Sequence, residues 1–259
     1  MKKLFITLFL LITTLFVTAQ ENRKIIDLTY AFDENTIFWP TQEGFQLIED
    51  FHGMTEKGYF YSSYGFKTAE HGGTHLDAPI HFYEGRYTSD EIPLEKFIGQ
   101  AIVIDASDER AENRDYLFGI TDFEKWENEH GRIPDESIIL LKSGYGKYWP
   151  DREKYMGTAE RGEEAVAKLH FPGLSEEGAK WLVNERKIKA VGIDTPSIDY
   201  GQSKYFKAHV VLCEANTPII ENVANLDQLP PKGFEVIALP IKIKGGSGGP
   251  TRIIALISN

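Results

Sequence analysis

Three histidines and one aspartate stand within eleven residues, in the stretch HGGTHLDAPIH at positions 71–81, although the whole chain has only seven histidines. Imidazole nitrogens and carboxylate oxygens are ligands that divalent transition metals take from proteins. Without an ion, four such groups packed together would leave buried polar atoms without hydrogen-bond partners, which is costly. The stretch therefore predicts a metal site, completed by three of these side chains and water.

The glycine pair and the proline within this stretch keep it from forming a helix. If the chain is extended here, His75 and Asp77, two positions apart, point to the same side. His71 joins them only if the glycines turn the chain back, and His81 lies beyond the proline. A convergent site thus requires a turn at the glycines.

A further histidine and a glutamate are weaker candidates on spacing alone. His209 separates the polar stretch SKYFKAH from the apolar run VVLCEAN, and Glu221 follows the next apolar run. Other histidines have similar surroundings and glutamates are abundant, so the residues alone leave both assignments open. Cys213 is the only cysteine, and its apolar flank favours a buried side chain over a catalytic nucleophile.

The motif at 71–81 resembles H-x-G-T-H-x-D-x-P-x-H, which marks the metal-dependent cyclase-like hydrolases, a family that includes bacterial kynurenine formamidase and isatin hydrolase. The likeness extends along most of the chain after residue 20. It includes the segment Phe38-Trp39-Pro40, the segment GIDTPSID at 192–199, the pair His209 and Glu221, and the glycine-rich residues 244–252 followed by RIIAL.

For the metal, the resemblance implies that His71, His75 and Asp77 hold a first ion. It implies that Asp77 and Glu221 are shared between two ions and that His209 holds the second, although some members of the family use one. The cofactor is thus expected to be a divalent metal, zinc or manganese, with one or two ions per chain.

For the rest of the site, the resemblance implies that His81 is the general acid and base and that Trp39 lines the substrate pocket. It also implies a compact, β-rich α/β fold of the swivelling β/β/α type. Such proteins assemble as dimers or tetramers, so a homodimer or homotetramer is expected.

Metal chemistry then predicts the reaction. A bound zinc ion lowers the pKa of coordinated water from about 15.7 to near 7, which supplies a hydroxide for attack on a carbonyl carbon. His81, with an ordinary pKa of about 6.5, is suited to accept a proton and return it to a departing amine. We predict a hydrolase that cleaves the C–N bond of an arylformamide or cyclic amide. An ester or lactone hydrolase of the same family, or an exported non-catalytic protein that binds a metal or small ligand, are the alternatives.

Short apolar runs predict the strands that must carry these residues. Several are near-continuous Val, Ile and Leu, as in strands covered on both faces; the runs are 24–29, 59–68, 101–105, 137–142, 190–193, 217–220, 234–243 and 252–257. Helices are predicted between them, one from a T-x-x-E capping box at Thr121 and one with Ser175 as its N-cap. The pattern favours an α/β fold, a single domain over residues 21–259 with a mixed β-sheet core and flanking helices.

Residues 145–173 form a long polar, aromatic and glycine-bearing segment between a predicted strand and a predicted helix. Long connections of this kind are often lids or binding loops, but a surface excursion is an equal alternative. The glycine-rich residues 244–252 lack the spacing of a phosphate loop. They predict instead a tight approach into the last strand.

The first twenty residues have the order of a secretory signal: Lys2 and Lys3, an apolar run from Leu4 to Val17, and small residues before a cleavage zone. The run is shorter than the roughly 20 residues of a membrane span. Without its two lysines the formal charge moves from −11 to −13, which disfavours nucleic acid as a partner. We expect an exported protein, periplasmic or secreted, that acts on a small molecule and has no membrane attachment after cleavage.

Overall fold

A mixed sheet of eight strands forms the framework of the protein. The computed structural model describes residues 23–108 and 113–258, so the predicted signal peptide, residues 1–20, lies outside the described part. The strands are β1 (Arg23–Asp27), β2 (Gln46–Met54), β3 (Phe60–Lys67), β4 (His75–Asp77), β5 (Ile98–Asp105), β6 (Leu117–Phe118), β7 (Ile138–Lys142), β8 (Gly173–Leu174), β9 (Ala190–Ile193), β10 (Ile219–Glu221), β11 (Phe234–Pro240) and β12 (Gly248–Ser258). The α-helices are α1 (Ile120–His130), α2 (Arg152–Met156), α3 (Glu163–Val166), α4 (Glu176–Arg186) and α5 (Lys207–Glu214). Short 3-10 helices span Pro79–His81, Leu94–Lys96, Tyr145–Tyr148 and Leu226–Gln228.

The strands with continuous apolar sequences lie in the middle of the sheet and run parallel. β5, β7, β9 and β10 are neighbours in that order. Alternate side chains enter two different cores, as the pleat requires. In β5, Ile102 and Ile104 pack in the cluster that includes α1, α4 and α5, whereas Ala101 and Val103 pack in the cluster on the other face. The continuous run of Val, Ile and Leu predicted a strand buried on both faces, and this packing confirms that prediction.

The sheet closes on itself through the short strand β4. Its order is β1-β12-β11-β5-β7-β9-β10-β4, and β4 also pairs with the start of β12. Both pairings are antiparallel, and they place Asp77 opposite Ile219 on one side and opposite Gly248 on the other. The three buried residues of β4 are thus fixed between strands that are distant in sequence.

The helices begin where local capping groups allow, with one correction to the sequence prediction. Ser175 is the N-cap of α4, and its Oγ accepts the Gly178 N–H at 3.0 Å, as predicted. The capping box predicted at Thr121 is wrong. Helix α1 has Gly119 as its N-cap, and Asp122 accepts the Gly119 N–H at 2.7 Å, so this carboxylate completes the first turn.

A two-stranded hairpin, β2–β3, stands apart from the main sheet. Its turn includes Gly58 at φ 81°, and a bulge lies between Glu49 and Phe51. Sequence patterning predicted the second strand but not the first, because charged residues interrupt the apolar ones in QLIEDFHGM. Most side chains of both strands are exposed.

The prediction of one α/β domain with a mixed sheet and flanking helices is confirmed by this architecture. Nothing tests the boundary between leader and domain at residue 20, which stays a prediction. None of the helices in the described ranges has the length and apolar character that a membrane crossing requires.

Candidate metal centre and active site

The glycine pair lets the chain pass close to an aromatic ring and then turn. A Cβ atom at Gly72 would stand only 2.0 Å from the ring of Phe38, so no larger residue fits. Gly73 has a φ of +56°, a backbone conformation that residues other than glycine rarely adopt. The turn carries His71 back over β4, where its Nδ1 lies 2.6 Å from Asp77 Oδ1.

Two imidazoles face the same two carboxylates at the centre of the site. On β4, His75 Nε2 lies 3.2 Å from Asp77 Oδ1 and 3.4 Å from Glu221 Oε2 on β10. From the first turn of α5, His209 Nε2 lies 3.1 Å from Asp77 Oδ2 and 3.2 Å from Glu221 Oε1. All four side chains are buried. The closed sheet and one helix thus bring residues separated by up to 146 positions to a single point.

Hydrogen bonds on the outer side of these groups aim them at the centre. His75 Nδ1 donates to the Gly73 carbonyl at 2.9 Å, which leaves Nε2 facing the carboxylates. His209 Nδ1 lies 2.7 Å from Asp199 Oδ2, and Asp199 also accepts the His209 backbone N–H at 3.1 Å. The Ile198 N–H donates to Glu221 Oε1 at 2.7 Å. Supporting bonds of this kind fix the ring orientation of histidine ligands in metal proteins.

His71 and His81 form a second group on the same aspartate. Their rings stack with centroids 3.7 Å apart, and nitrogen atoms of both lie within 4.8 Å of an oxygen of Asp77. Ser247, from the glycine-rich stretch before β12, lies 2.8 Å from His71 Nε2 and donates to Glu70 at 2.6 Å. The predicted tight approach of the glycine-rich stretch is therefore present, and it supports His71.

Protonation in this cluster is governed by burial and by the two central carboxylates. Burial by itself lowers the pKa of His75, but Asp77 and Glu221 outweigh it and raise that pKa to about 10. Burial also lowers the pKa of His209, but Asp199, Asp77 and Glu221 outweigh it and raise that pKa well above its usual value. Burial raises the pKa of Asp77, but the surrounding histidines hold it well below the ordinary range.

His81 behaves differently, because it lies outside the central contact with the carboxylates. Burial is the largest effect and lowers the pKa of His81 to about 4. The imidazole is therefore neutral at physiological pH and able to accept a proton. Cys213 is fully buried, and burial raises its pKa to about 12, so no thiolate forms there at neutral pH.

The donor set fits a divalent metal ion. His75 Nε2 is buried and has no hydrogen-bond partner, although it points at two carboxylates. Two sets of three donor residues lie close enough to hold an ion, and both include Asp77. One set adds His71 and His81, and the other adds His75 and Glu221. Mixed imidazole and carboxylate donors of this kind suit zinc or manganese. The assignment of each ligand to a first or a second ion stays a prediction.

The seven residues predicted to hold metal, substrate or protons all line one cavity of about 200 Å³, together with aromatic side chains that the prediction omitted. His71, His75, Asp77, His81, His209 and Glu221 form one side. Trp39 lies on the other, with its ring centroid 6.4 Å from both Phe171 and Phe206. Phe38, Phe82 and Phe206 add to the apolar wall. The cavity joins a polar, metal-binding end to an aromatic end.

The segment 145–173 is the support behind Trp39 rather than a loop over the cavity. Its buried side chains, with Ile37, form a small core against which Trp39 packs; they are Tyr145, Tyr155, Met156, Leu169 and Phe171. Arg152 Nη1 donates to the Phe38 carbonyl at 2.9 Å, and the Gly162 N–H donates to the Pro40 carbonyl at 2.9 Å. The surface excursion offered as an alternative is therefore wrong, and the segment fixes the cavity wall.

Sequence reasoning missed residues whose roles depend on remote contacts. Asp199 stands in the segment GIDTPSID, yet only the fold shows that it orients His209. Phe206 adopts φ 46° at the start of α5 and turns its ring toward Trp39, which no local pattern indicates. Asn222, which donates to the Gly73 carbonyl at 2.7 Å, ties β10 to the glycine turn.

Comparison with known proteins agrees with this geometry. A family model described as putative cyclase matches residues 26–200. An isatin hydrolase from Roseibium aggregatum is 31% identical, over 91% of this chain and 88% of that protein. A kynurenine formamidase from Salinibacter ruber is 26% identical, over 89% and 96%. The solved structure of isatin hydrolase A from Labrenzia aggregata, bound to benzyl benzoate, superposes with a TM-score of 0.82 at 33% identity, covering 92% of this chain and 94% of that chain.

Proposed function

This chain belongs to the cyclase family, and we propose that it hydrolyses the ring C–N bond of a neutral aromatic cyclic amide such as isatin. It is a metal-dependent amide hydrolase, as its relatives and its donor cluster show together. The choice of substrate rests on the residues that line the cavity. Its far side is aromatic, which suits a flat ring, and its near side holds the groups for hydrolysis.

The relatives include an isatin hydrolase and kynurenine formamidases, and the substrates of these two activities differ in charge. N-formylkynurenine carries an amino-acid tail with a carboxylate, which needs a cation when it is taken out of water. Neither lysine nor arginine is among the described residues that line the cavity. A cyclic amide brings no such charge. The cavity therefore favours a neutral bicyclic amide over an amino-acid formamide.

The ion is held in this proposal by His71, His75, Asp77, His209 and Glu221. Zinc or manganese would fit these donors, and the two positive charges of a divalent ion would balance the two central carboxylates. When bound, the ion supplies Lewis-acid activation of water and of the substrate carbonyl. Asp77 faces three imidazoles and Glu221 faces two of the same three, so the chain itself positions both carboxylates beside the same histidines.

His81 provides the proton transfers. Its ring is neutral, lines the cavity and stacks on His71, so it is positioned beside the ligand cluster without being buried between the carboxylates. It accepts a proton from the attacking water and gives it to the ring nitrogen as the C–N bond breaks. The attacked carbonyl group becomes a carboxylic acid, which loses its remaining proton to solvent, and the ring nitrogen becomes an arylamine. Phe206 and Trp39 hold the aromatic ring during this step.

Two further parts of the proposal concern the protein as a whole. The basic and apolar leader at residues 1–20 supports export, to the periplasm or outside the cell. The exposed apolar hairpin β2–β3 supports assembly as a homodimer or homotetramer. The acidic formal charge argues against nucleic acid as a partner.

The test is a substrate panel on purified residues 21–259 loaded with zinc or with manganese. We expect kcat/KM for isatin to exceed that for N-formylkynurenine by about 10²-fold or more, since an unpaired buried charge costs several kcal/mol. Aryl esters and lactones are measured alongside. A higher kcat/KM for N-formylkynurenine would assign the chain to the arylformamidases, and one for the esters would contradict amide specificity.

A gain-of-function variant tests the reason for this preference. Gln42 lines the cavity and its side chain is exposed, so Gln42→Arg places a cation there without disturbing the core. This variant should raise kcat/KM for N-formylkynurenine by about tenfold and leave isatin hydrolysis nearly unchanged. Gln228→Arg, at an exposed position outside the cavity lining, is the control. If both variants behave alike, the missing cation does not determine specificity.

A further inference from the structure

A series of buried hydrogen bonds connects the segment 145–173 to the imidazole of His75. It begins at Tyr155 on α2, whose hydroxyl donates to Asn222 Oδ1 at 2.9 Å. The Nδ2 of Asn222 in turn donates to the Gly73 carbonyl at 2.7 Å, and His75 Nδ1 donates to the same carbonyl at 2.9 Å. Tyr155, Asn222 and His75 are all buried. The segment therefore reaches the ligand cluster through polar groups, and not only by packing behind the cavity wall.

The Tyr155 hydroxyl is held rigidly at the start of this series. It also lies 2.9 Å from the Asp194 carbonyl, so its single proton is shared between two acceptor oxygens. The ring is fully buried in the small core of the segment and meets Trp149 edge-on, with the centroids 5.4 Å apart. Because the hydroxyl is fixed to a packed ring, it gives the Asn222 amide a rigid contact.

Asn222 is the link between this hydroxyl and the glycine turn. It follows Glu221 on β10 and has a φ of 53°, a left-handed conformation that asparagine tolerates better than most residues. Its backbone is fixed on both sides, since its N–H donates to the Thr195 carbonyl at 3.0 Å and its carbonyl accepts the Thr74 hydroxyl at 2.8 Å. A residue held so firmly in a rarely populated conformation is typical of a functional site.

We propose that Tyr155 is a positioning residue for the metal site and acts through Asn222. Its hydroxyl fixes the amide that holds the Gly73 carbonyl, and this carbonyl accepts the Nδ1 proton of His75. A proton fixed on Nδ1 leaves Nε2 as the nitrogen that can bind an ion. The Nε2 atom is buried, has no hydrogen-bond partner and faces the two central carboxylates. This inference rests on the metal site proposed above and does not depend on the substrate.

The first experiment measures zinc affinity by competition with a chelator, for residues 21–259 and for Tyr155→Phe, which keeps the ring and removes the hydroxyl. The variant should bind zinc about 10-fold more weakly, the lower end of the loss that follows when a partner of a metal ligand is removed. Tyr116→Phe is the matched control, because the Tyr116 hydroxyl donates to Asp122 on α1 at 2.5 Å and neither residue lines the cavity. The control should bind zinc as the wild type does.

A double-mutant cycle tests whether Tyr155 acts through Asn222. Asn222→Gly removes the amide, and glycine adopts the left-handed conformation without strain. This variant should lose at least as much zinc affinity as Tyr155→Phe. The double variant Tyr155→Phe/Asn222→Gly should then bind zinc no more weakly than Asn222→Gly alone, because the hydroxyl has nothing left to hold. Losses that multiply in the double variant would overturn the route through Asn222.

Cobalt in place of zinc gives a readout that a purely stabilising hydroxyl would not change. The visible absorption of bound Co²⁺ depends on ligand geometry, so Tyr155→Phe should change the spectrum and Tyr116→Phe should not. Circular dichroism checks that each variant is folded. Equal zinc affinity in wild type and Tyr155→Phe, or a weakened variant with an unchanged cobalt spectrum, would overturn the positioning role and leave the metal site in place. A wild type that binds neither ion would overturn the metal site as well.

Discussion

At the scale of single residues, the protons of the ligand cluster determine how it binds metal. The pKa of His75 is raised to about 10 and that of His209 well above its usual value, while the pKa of Asp77 is lowered. At neutral pH both histidines therefore hold protons that balance the carboxylates. A metal ion requires neutral imidazole, so each ion must displace these protons.

This leads to a prediction about metal uptake. Binding of one zinc or manganese ion to the metal-free protein near pH 7 should release about two protons, and affinity should rise by about 100-fold per pH unit while the pH stays below the raised pKa values. Isothermal calorimetry in buffers of different ionisation enthalpy counts the protons. Uptake without proton release would contradict the protonation described here.

A second prediction concerns Asp199, which orients His209 without lining the cavity. Asp199→Asn should lower metal affinity by about 10- to 100-fold, the usual cost of losing such support. Asp115→Asn is a matched control, because Asp115 lies 2.7 Å from His170 Nδ1 in the same kind of pair away from the site. Competition with a chelator gives both affinities. Equal affinities in the two variants would show that Asp199 does not position the ligand.

A third prediction separates proton transfer from metal binding. His81→Ala should retain its metal and lose activity by about 10²-fold or more, because it removes the proposed general acid and base. Asp77→Ala should lose metal and activity together, since Asp77 faces three histidines. Elemental analysis beside turnover distinguishes the two. Unchanged turnover of His81→Ala would remove its role.

The distance along the chain between the site residues determined which of them could be predicted from the sequence. His71, His75, Asp77 and His81 lie in one short stretch, so residue type and spacing predicted them. His209 and Glu221 could be placed only through the resemblance, because their approach depends on α5 and β10. No local pattern specifies a contact over more than a hundred residues.

At the scale of elements, the segment 145–173 controls the aromatic end of the cavity. Phe171 is fully buried and supports Trp39 edge-on. Phe171→Leu should raise KM for an aromatic substrate several-fold, with metal content unchanged. Phe123→Leu, equally buried but on α1 in the main core, is the control. Both should cost roughly 1–3 kcal/mol of stability in thermal unfolding, but only the first should change KM. A normal KM in Phe171→Leu would show that this segment does not position Trp39.

Elements were predictable where burial is regular. β7 and β9 are continuous apolar runs and were predicted to within one residue, whereas the first three residues of β5 were missed. Strand β4 is three residues long and exists because β10 and β12 hold it, so its own sequence gives no strand signal. Helix α5 was also missed, since its first turn is fixed by Asp199 from another part of the chain.

At the scale of the whole molecule, export of the protein does not depend on its catalytic activity. Expression of the full chain in a bacterium should give a periplasmic or secreted protein whose N-terminus lies near residue 20. N-terminal sequencing of the purified protein measures this. A chain recovered intact from the membrane fraction would contradict cleavage and leave the site unaffected.

We propose that the imidazole–carboxylate cluster holds an ion on which hydrolysis depends. The most direct measurement is isatin turnover by metal-free protein titrated with zinc or manganese, with bound metal determined in each sample. Turnover should be near zero without metal, rise in proportion to bound ion and level off when the cluster is full. Metal-free protein that hydrolyses isatin as fast as the loaded protein would contradict the account.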